Sequence, residues 1–135
     1  MRTVRILILE DDLKTLSILL KKLSVLEDTF LASGTQFSVT VLSECTQVEE
    51  YPNKTEAKFD VVLLDRDCKI GGSFHCLDLM RYSPHMVIGI SSVPSYNEEL
   101  KAKGVTRIVN KDYQQLDQFA DAVIEHVAQL LRSSE

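Results

Sequence analysis

The stretch KFDVVLLDRDCKIGG, residues 58–72, places four consecutive apolar residues directly before an acidic cluster. A short run of this kind, ended by charge and then by two glycines, predicts a strand at residues 61–64 that is buried on both faces. Asp65 then lies at its carboxyl end, where open α/β sheets keep their binding and chemical groups. The structural alternative is that Asp65 or Asp67 caps a following turn or helix. The rest of the chain has to decide between these interpretations.

The length and the charge of the chain limit the classes of protein to which it can belong. Its 135 residues are enough for one well-buried core, so we expect a single domain over residues 1–135. The formal net charge of -5 argues against direct contact with nucleic acid or with an anionic membrane. Because the sequence has neither a span-length apolar stretch nor a signal-peptide pattern, we expect a cytoplasmic protein.

The cysteine pattern gives a further expectation. Cys45, Cys68 and Cys76 are odd in number and form no C-x-x-C pair. This pattern argues against a disulfide framework and against a zinc site. We therefore expect three free thiols, buried or half-buried.

Strand and helix patterns alternate along the whole chain. Short apolar runs predict strands at residues 4–9, 37–42, 61–64, 86–90 and 106–109. Helical patterns predict a helix that begins at Leu13, a short or irregular one within 46–57, a modest one around 74–80, and others at 96–103 and 113–132. The helix at 96–103 is followed by Gly104, a favourable residue for ending it.

The order of these elements predicts the fold. Strands separated by helices must be parallel, because each right-handed crossover returns the chain to the same end of the sheet. The first and third strands are the most uniformly apolar, so they should be central neighbours. We predict an α/β fold with one doubly wound, five-stranded parallel sheet, (βα)5, in the strand order 2-1-3-4-5, as the middle layer of a three-layer α/β/α sandwich.

This topology brings the carboxyl ends of the strands to one edge. Glu10, Asp11 and Asp12 follow the first strand, Asp65 the third, Ser91 the fourth and Lys111 the fifth. Gathered carboxylates repel one another and need a cation, for which hard oxygen ligands suit Mg²⁺. An aspartate can attack a phosphoryl group, a lysine supplies positive charge and a serine hydroxyl donates a hydrogen bond. Each group alone has an ordinary structural explanation, but their combination favours a phosphoryl-transfer site.

The same residues, in the same order, resemble the receiver domains of bacterial two-component response regulators over essentially the whole chain. The resemblance implies that Asp65 accepts a phosphoryl group from a sensor histidine kinase or a phosphotransfer protein, assisted by Lys111 and Ser91. It implies a Mg²⁺ ion held by Asp11, Asp65 and the main-chain carbonyl of Asp67, with Glu10 acting through water. It also implies a signalling domain rather than a turnover enzyme. The downstream partner is then an effector protein or an output domain, and we expect no output domain within this chain.

Several positions depart from the family pattern. The interval between Asp11 and Asp65 is longer than usual, and we place the excess at residues 28–36. Ile108 occupies the position of the common switch aromatic. The hydroxyl residue is Ser91 rather than the commoner threonine. These departures affect the expected output mechanism more than the chemistry.

The residue after Lys111 is a further departure, because Asp112 replaces the usual proline. A cis bond before a non-proline residue costs about 2.5 to 4 kcal/mol, so we predict a trans Lys111–Asp112 bond. Its flexible side chain should still place the Lys111 amino group near Asp65 or Asp11.

Two points stay open from the sequence. Asp12 is either part of the acidic site or the cap of the first helix. The function also has two rivals, a pseudo-receiver that only binds a partner, and a haloacid-dehalogenase-like phosphatase using the D-x-D of Asp65 and Asp67. In that phosphatase family the D-x-D precedes the metal-binding acidic pair, whereas here the acidic cluster comes first.

Overall fold

The apolar runs of the sequence form the strands of one sheet in the computed structural model, which describes residues 1–52, 54, 58–65 and 82–133. The strands are β1 (Arg2–Leu9), β2 (Thr35–Leu42), β3 (Val61–Leu64), β4 (Val87–Gly89) and β5 (Arg107–Ile108). The helices are α1 (Leu13–Leu31), α2 (Cys45–Glu50), α3 (Pro94–Ala102) and α4 (Leu116–Ser133), with a 3-10 turn at Pro84–Met86. The predicted helix around residues 74–80 lies outside the described residues.

The sheet has the predicted topology. All strand pairs are parallel and the order is β2-β1-β3-β4-β5, which confirms the doubly wound arrangement. The central pair is in register from Ile6 opposite Val61 to Leu9 opposite Leu64. The Asp65 backbone N–H donates to the Leu9 carbonyl at 3.0 Å. The acid-tipped ends of β1 and β3 are therefore fixed side by side.

Each face of the sheet carries a hydrophobic cluster. Alternate residues of β1 point to opposite faces, so Ile6 and Ile8 pack with α1 and α4, whereas Leu7 and Leu9 pack with residues of α2 and α3. Complete burial of one such side chain stabilises the fold by about 1.5 to 3 kcal/mol. The described helices thus form the outer two layers of the predicted three-layer sandwich.

Helix α1 begins at a well-made cap. The Asp12 Oδ2 atom accepts hydrogen bonds from the Thr15 backbone N–H at 3.0 Å and from the Thr15 hydroxyl at 2.6 Å. Such a cap satisfies one of the backbone donors left free at a helix start. The structure therefore confirms the capping role for Asp12.

Residues 28–36, the expected position of the extra residues, connect α1 to β2 through a short turn. The apolar stripe of α1 continues to Phe30, which is buried, and the helix ends at Leu31. A short turn closes at Gly34, whose φ of 82° suits glycine, and β2 begins at Thr35. The Glu27 carboxylate accepts the Phe37 N–H at 2.7 Å, covering a donor on the outer edge of the sheet. Residues 28–36 thus belong to the end of α1, the turn and the start of β2.

Helix α4 begins at Leu116, three residues later than the pattern predicts. The Asp112 side chain accepts the Gln114 N–H at 2.9 Å, and the Asp112 carbonyl accepts the Gln115 N–H at 3.1 Å. An aspartate that bonds to nearby backbone donors offers the chain a turn in place of a helix. The bonds of Asp112 stabilise a turn, and α4 therefore begins only after this turn.

The expectation of three free thiols is wrong. Cys45, the first residue of α2, is disulfide-bonded. Cys68 and Cys76 lie outside the described residues. An odd cysteine count excludes a framework in which every cysteine is paired, but it leaves room for one bond.

Among the helices of the described residues, none has the length and hydrophobicity needed to cross a bilayer.

Candidate functional site

Two carboxylates are buried at the carboxyl edge of the central strands. Glu10 directly follows β1 and is 0% exposed, and Asp65 directly follows β3 and is 2% exposed. The Glu10 Oε2 atom accepts backbone N–H groups of Asp11 at 2.9 Å and of Asp12 at 3.2 Å. The start of the β1–α1 loop thus folds around the Glu10 side chain. Buried carboxylates are costly without such partners.

Lys111 joins both carboxylates from the end of β5. Its Nζ atom donates to Asp65 Oδ2 at 2.7 Å and also to Glu10 Oε1. Its backbone N–H donates to the Ser91 carbonyl at 3.1 Å, which ties the β5 end to the β4 end. The Lys111–Asp112 bond is trans, as predicted from the missing proline. The amino group lies at Asp65 as expected, and its second partner is Glu10, for which the family resemblance implied a role through water.

The pKa values of Glu10 and Lys111 are both changed in this pocket. Burial, and then the Asp65 charge, raise the pKa of Glu10 from 4.5 to about 7, although Lys111 and backbone donors oppose the change. Burial acts to lower the pKa of Lys111, but the charges of Glu10 and Asp65 outweigh burial, so this pKa is raised. Lys111 therefore remains protonated at neutral pH. One ammonium group faces two carboxylates, and the site is electrostatically suited to a further cation.

We expect the Asp65→Asn substitution to lower the pKa of Glu10. Removing the Asp65 charge removes the second cause of the shift, while burial keeps this pKa above 4.5. A carbon NMR titration of the Glu10 carboxyl group measures the change. The matched control is Asp60→Asn, because Asp60 precedes the same strand at its opposite end. An unchanged Glu10 pKa in Asp65→Asn would show that the two carboxyl groups do not interact.

Ser91 is brought to the same edge. It is 0% exposed and follows the last residue of β4 by two positions. Its hydroxyl oxygen accepts the Val93 N–H at 3.1 Å, a bond that shapes the start of α3. In this structure the Ser91 hydroxyl thus helps to form a turn, which is the ordinary structural role of a serine after a strand.

The remaining predicted metal ligands are only partly described. Asp11 is half-buried beside Glu10, and Asp67 lies outside the described residues. The described residues contain no group of three or more His, Cys, Asp or Glu side chains arranged around a metal position. Mg²⁺ needs only one or two protein carboxylates, since it retains several waters. The acidic excess and the oxygen donors at this edge therefore fit such an ion.

Two residues around the site, Tyr113 and Asn97, were not predicted from the sequence. The ring centroid of Tyr113 lies 5.5 Å from Lys111 Nζ, within the range of a cation–π contact. Asn97 of α3 is 2% exposed and donates to Asn110 Oδ1 at 2.7 Å. Asn97 has a detectable signal, because it precedes the buried Leu100 by three residues and so is a polar residue on the apolar face of its helix. Tyr113 has no comparable signal in the sequence.

Comparison with known proteins finds the same fold among solved structures. No family model and no curated protein matches the chain. Among solved structures, the receiver domain of the Francisella response regulator 1452 aligns with a TM-score of 0.62 at 18% identity, covering 98% of this chain and 99% of that one. The bacteriophytochrome response regulator RtBRR aligns with a TM-score of 0.62 at 23% identity, covering 95% and 78%. The Mn²⁺-bound response regulator Rcp1 aligns with a TM-score of 0.56 at 14% identity, covering 89% and 91%. The chain has the fold of response-regulator receiver domains.

Proposed function

We propose that the chain is a response-regulator receiver that accepts a phosphoryl group on Asp65 in a Mg²⁺-dependent reaction. The donor is a phosphohistidine on a sensor histidine kinase or a phosphotransfer protein of the cytoplasm. The observation that carries this proposal is the hydrogen bond of 2.7 Å from Lys111 Nζ to Asp65 Oδ2 inside a buried acidic pocket. A strand buried on both faces that ends in a carboxylate paired with a lysine suits covalent phosphoryl capture better than it suits a turn cap.

The residues of the pocket have distinct tasks in this reaction. A bond forms between an Asp65 carboxylate oxygen and phosphorus, and the bond from phosphorus to the donor nitrogen breaks, leaving the electron pair on nitrogen. Lys111 neutralises negative charge on the transferred group. Ser91 donates a hydrogen bond to it after its hydroxyl turns away from the Val93 N–H.

The metal ion supplies positive charge next to the phosphoryl oxygens. Asp11, Asp65 and the Asp67 carbonyl would hold it, and Glu10 would act on it through water. The Mn²⁺-bound form of Rcp1 supports divalent-metal binding by this fold. Glu10, through its contact with Lys111, also fixes the position of the lysine amino group.

The proposal is tested by incubating the protein with a small phosphodonor. With Mg²⁺ present, we expect the intact mass to increase by one phosphoryl group and the label to be released by hydroxylamine, as for an acyl phosphate. With a chelator in place of Mg²⁺, we expect no increase. Absence of label in both samples would overturn the proposal, and equal label in both would overturn the metal requirement.

The pseudo-receiver is the second candidate function. Two departures from the family pattern, at Ile108 and Asp112, favour it. Lys111 already bonds to both buried carboxylates, so the pocket is also consistent with a purely structural ion-pair cluster. A protein that takes no label and yet binds a partner would support this candidate. The phosphatase alternative requires steady turnover of a phosphate ester, which a receiver does not perform.

We expect occupancy of the site to move the segment at residues 91–95. We expect Ser91 to move toward a phosphoryl group on Asp65, because its hydroxyl now accepts the Val93 N–H, and this segment leads directly into α3. The surface of α3, β5 and α4 is therefore the expected partner surface. Amide hydrogen exchange with and without a phosphoryl mimic measures the change. Differences confined to α1 would contradict this expectation.

A further inference from the structure

Asn97 is a buried polar residue whose side chain spans two loops of the site. It lies in the first turn of α3 and is 2% exposed. Its Oδ1 atom accepts the Ser91 N–H at 3.3 Å, and its Nδ2 atom donates to the Ser91 carbonyl at 3.0 Å. The same Nδ2 atom donates to Asn110 Oδ1 at 2.7 Å. One carboxamide thus binds the main chain of Ser91 and the residue that precedes Lys111.

These bonds form a closed connection between the two strand ends. The Ser91 carbonyl also accepts the Lys111 backbone N–H at 3.1 Å. Asn97 therefore braces the junction at which the β4 loop meets the β5 loop. Both the N–H and the carbonyl of Ser91 bond to the Asn97 side chain, so the Ser91 backbone can move only by breaking these bonds or by moving α3 with it.

We infer that Asn97 is a positioning residue that couples α3 to the acidic pocket. It keeps the Ser91 main chain and the residue before Lys111 in a fixed relation while Asp65 accepts a phosphoryl group, and it transmits a displacement of Ser91 to α3. A buried amide is costly to leave without its partners, so the connection resists separation. This inference rests on the proposed function, since it assigns Asn97 a task in the reaction at Asp65.

The test compares labelling rates of three variants with the parent, using a small phosphodonor and Mg²⁺. Asn97→Ala removes all three bonds, and we expect labelling to slow by roughly tenfold, as for other residues that orient a functional group. Asn110→Ala removes only the 2.7 Å bond at an exposed residue, and we expect a smaller loss. Leu100→Ala is the matched control, because it loosens the buried face of the same helix without removing a bond to either loop. We expect its rate to stay within about twofold of the parent.

A second measurement separates positioning from a merely structural role. In the parent, binding of a phosphoryl mimic should shift the amide resonances of α3, and in Asn97→Ala this shift should be lost although the mimic still binds. Equal labelling rates in Asn97→Ala and the parent, or equal losses in Asn97→Ala and Leu100→Ala, would overturn the inference and leave the proposed function intact. If Asn97→Ala does not fold, Asn110→Ala takes its place in the test. A labelling rate of Asn110→Ala equal to that of the parent then overturns the inference. A parent that takes no label overturns the proposed function, and the inference with it.

Discussion

An Asp65→Asn variant is expected to take up no phosphoryl group under conditions that label the parent protein. The carboxamide has nearly the shape of the carboxylate, so its oxygen can still accept the Lys111 hydrogen bond that the Asp65 Oδ2 atom now accepts at 2.7 Å. An amide is a very poor nucleophile toward phosphorus, and therefore the loss should be complete rather than partial. Intact mass after incubation with a small phosphodonor and Mg²⁺ measures the label, and peptide mapping locates it.

Asp60→Asn is the matched control for this experiment. Asp60 precedes β3, whereas Asp65 follows it, so the two substitutions change the same residue type at opposite ends of one strand. The Asp60 carboxylate accepts the Arg5 N–H at 2.8 Å in an exposed position, far along the strand from Lys111. We expect Asp60→Asn to be labelled like the parent. Label on Glu10 or Asp11 in the Asp65→Asn protein would show that the acceptor has been assigned to the wrong carboxylate.

The sequence predicted the sheet and its acidic edge because both depend on local patterns. Strands that are connected through helices are expected to be parallel, and parallel strands have their carboxyl ends at the same edge of the sheet. Lys111 and Asp65 are 46 residues apart in the chain, yet this rule predicted that they meet. The trans bond at Asp112 followed from the chemistry of one residue, the missing proline.

The features that were not predicted depend on contacts between distant segments of the chain, or on a turn that forms where a helix was expected. The bond from Lys111 to Glu10 joins residues 101 positions apart, and no local pattern selects Glu10 rather than Asp11 as its partner. The network of Asn97 requires the positions of two loops to be known. Helix α4 begins late because of the turn at Asp112, and the spacing of apolar residues contains no information on this turn. The odd number of cysteines argued against a disulfide framework, but an odd number excludes only complete pairing and is compatible with the bond at Cys45.

A Lys111→Met variant is expected to lose about 3 kcal/mol or more of unfolding free energy at neutral pH, because removal of one partner leaves buried charges uncompensated. The Lys111 and Glu10 side chains are each 0% exposed, and that of Asp65 is 3% exposed, so water does not replace the lost ammonium group. Methionine fills most of the volume of the lysine stem, so the loss reports the missing charge more than a cavity. Chemical denaturation of the parent and the variant measures the difference.

Lys101→Met is the matched control, since Lys101 forms an exposed ion pair with Glu98 and is 51% exposed. We expect its effect to stay below about 1 kcal/mol, the usual limit for a surface pair.

The pH dependence identifies the cause of the loss in Lys111→Met. Burial and Asp65 already raise the pKa of Glu10 to about 7, and removal of Lys111 removes two of the opposing effects, so this pKa should rise further. A carboxyl group with a raised pKa in the folded state holds a proton that the unfolded chain releases, and its stability contribution therefore falls as the pH rises above the unfolded value. The variant should be closest to the parent near about pH 5 and furthest from it near about pH 8. A deficit that is equal at both pH values would mean that lost packing, rather than uncompensated carboxylate charge, explains the role of Lys111 in stability.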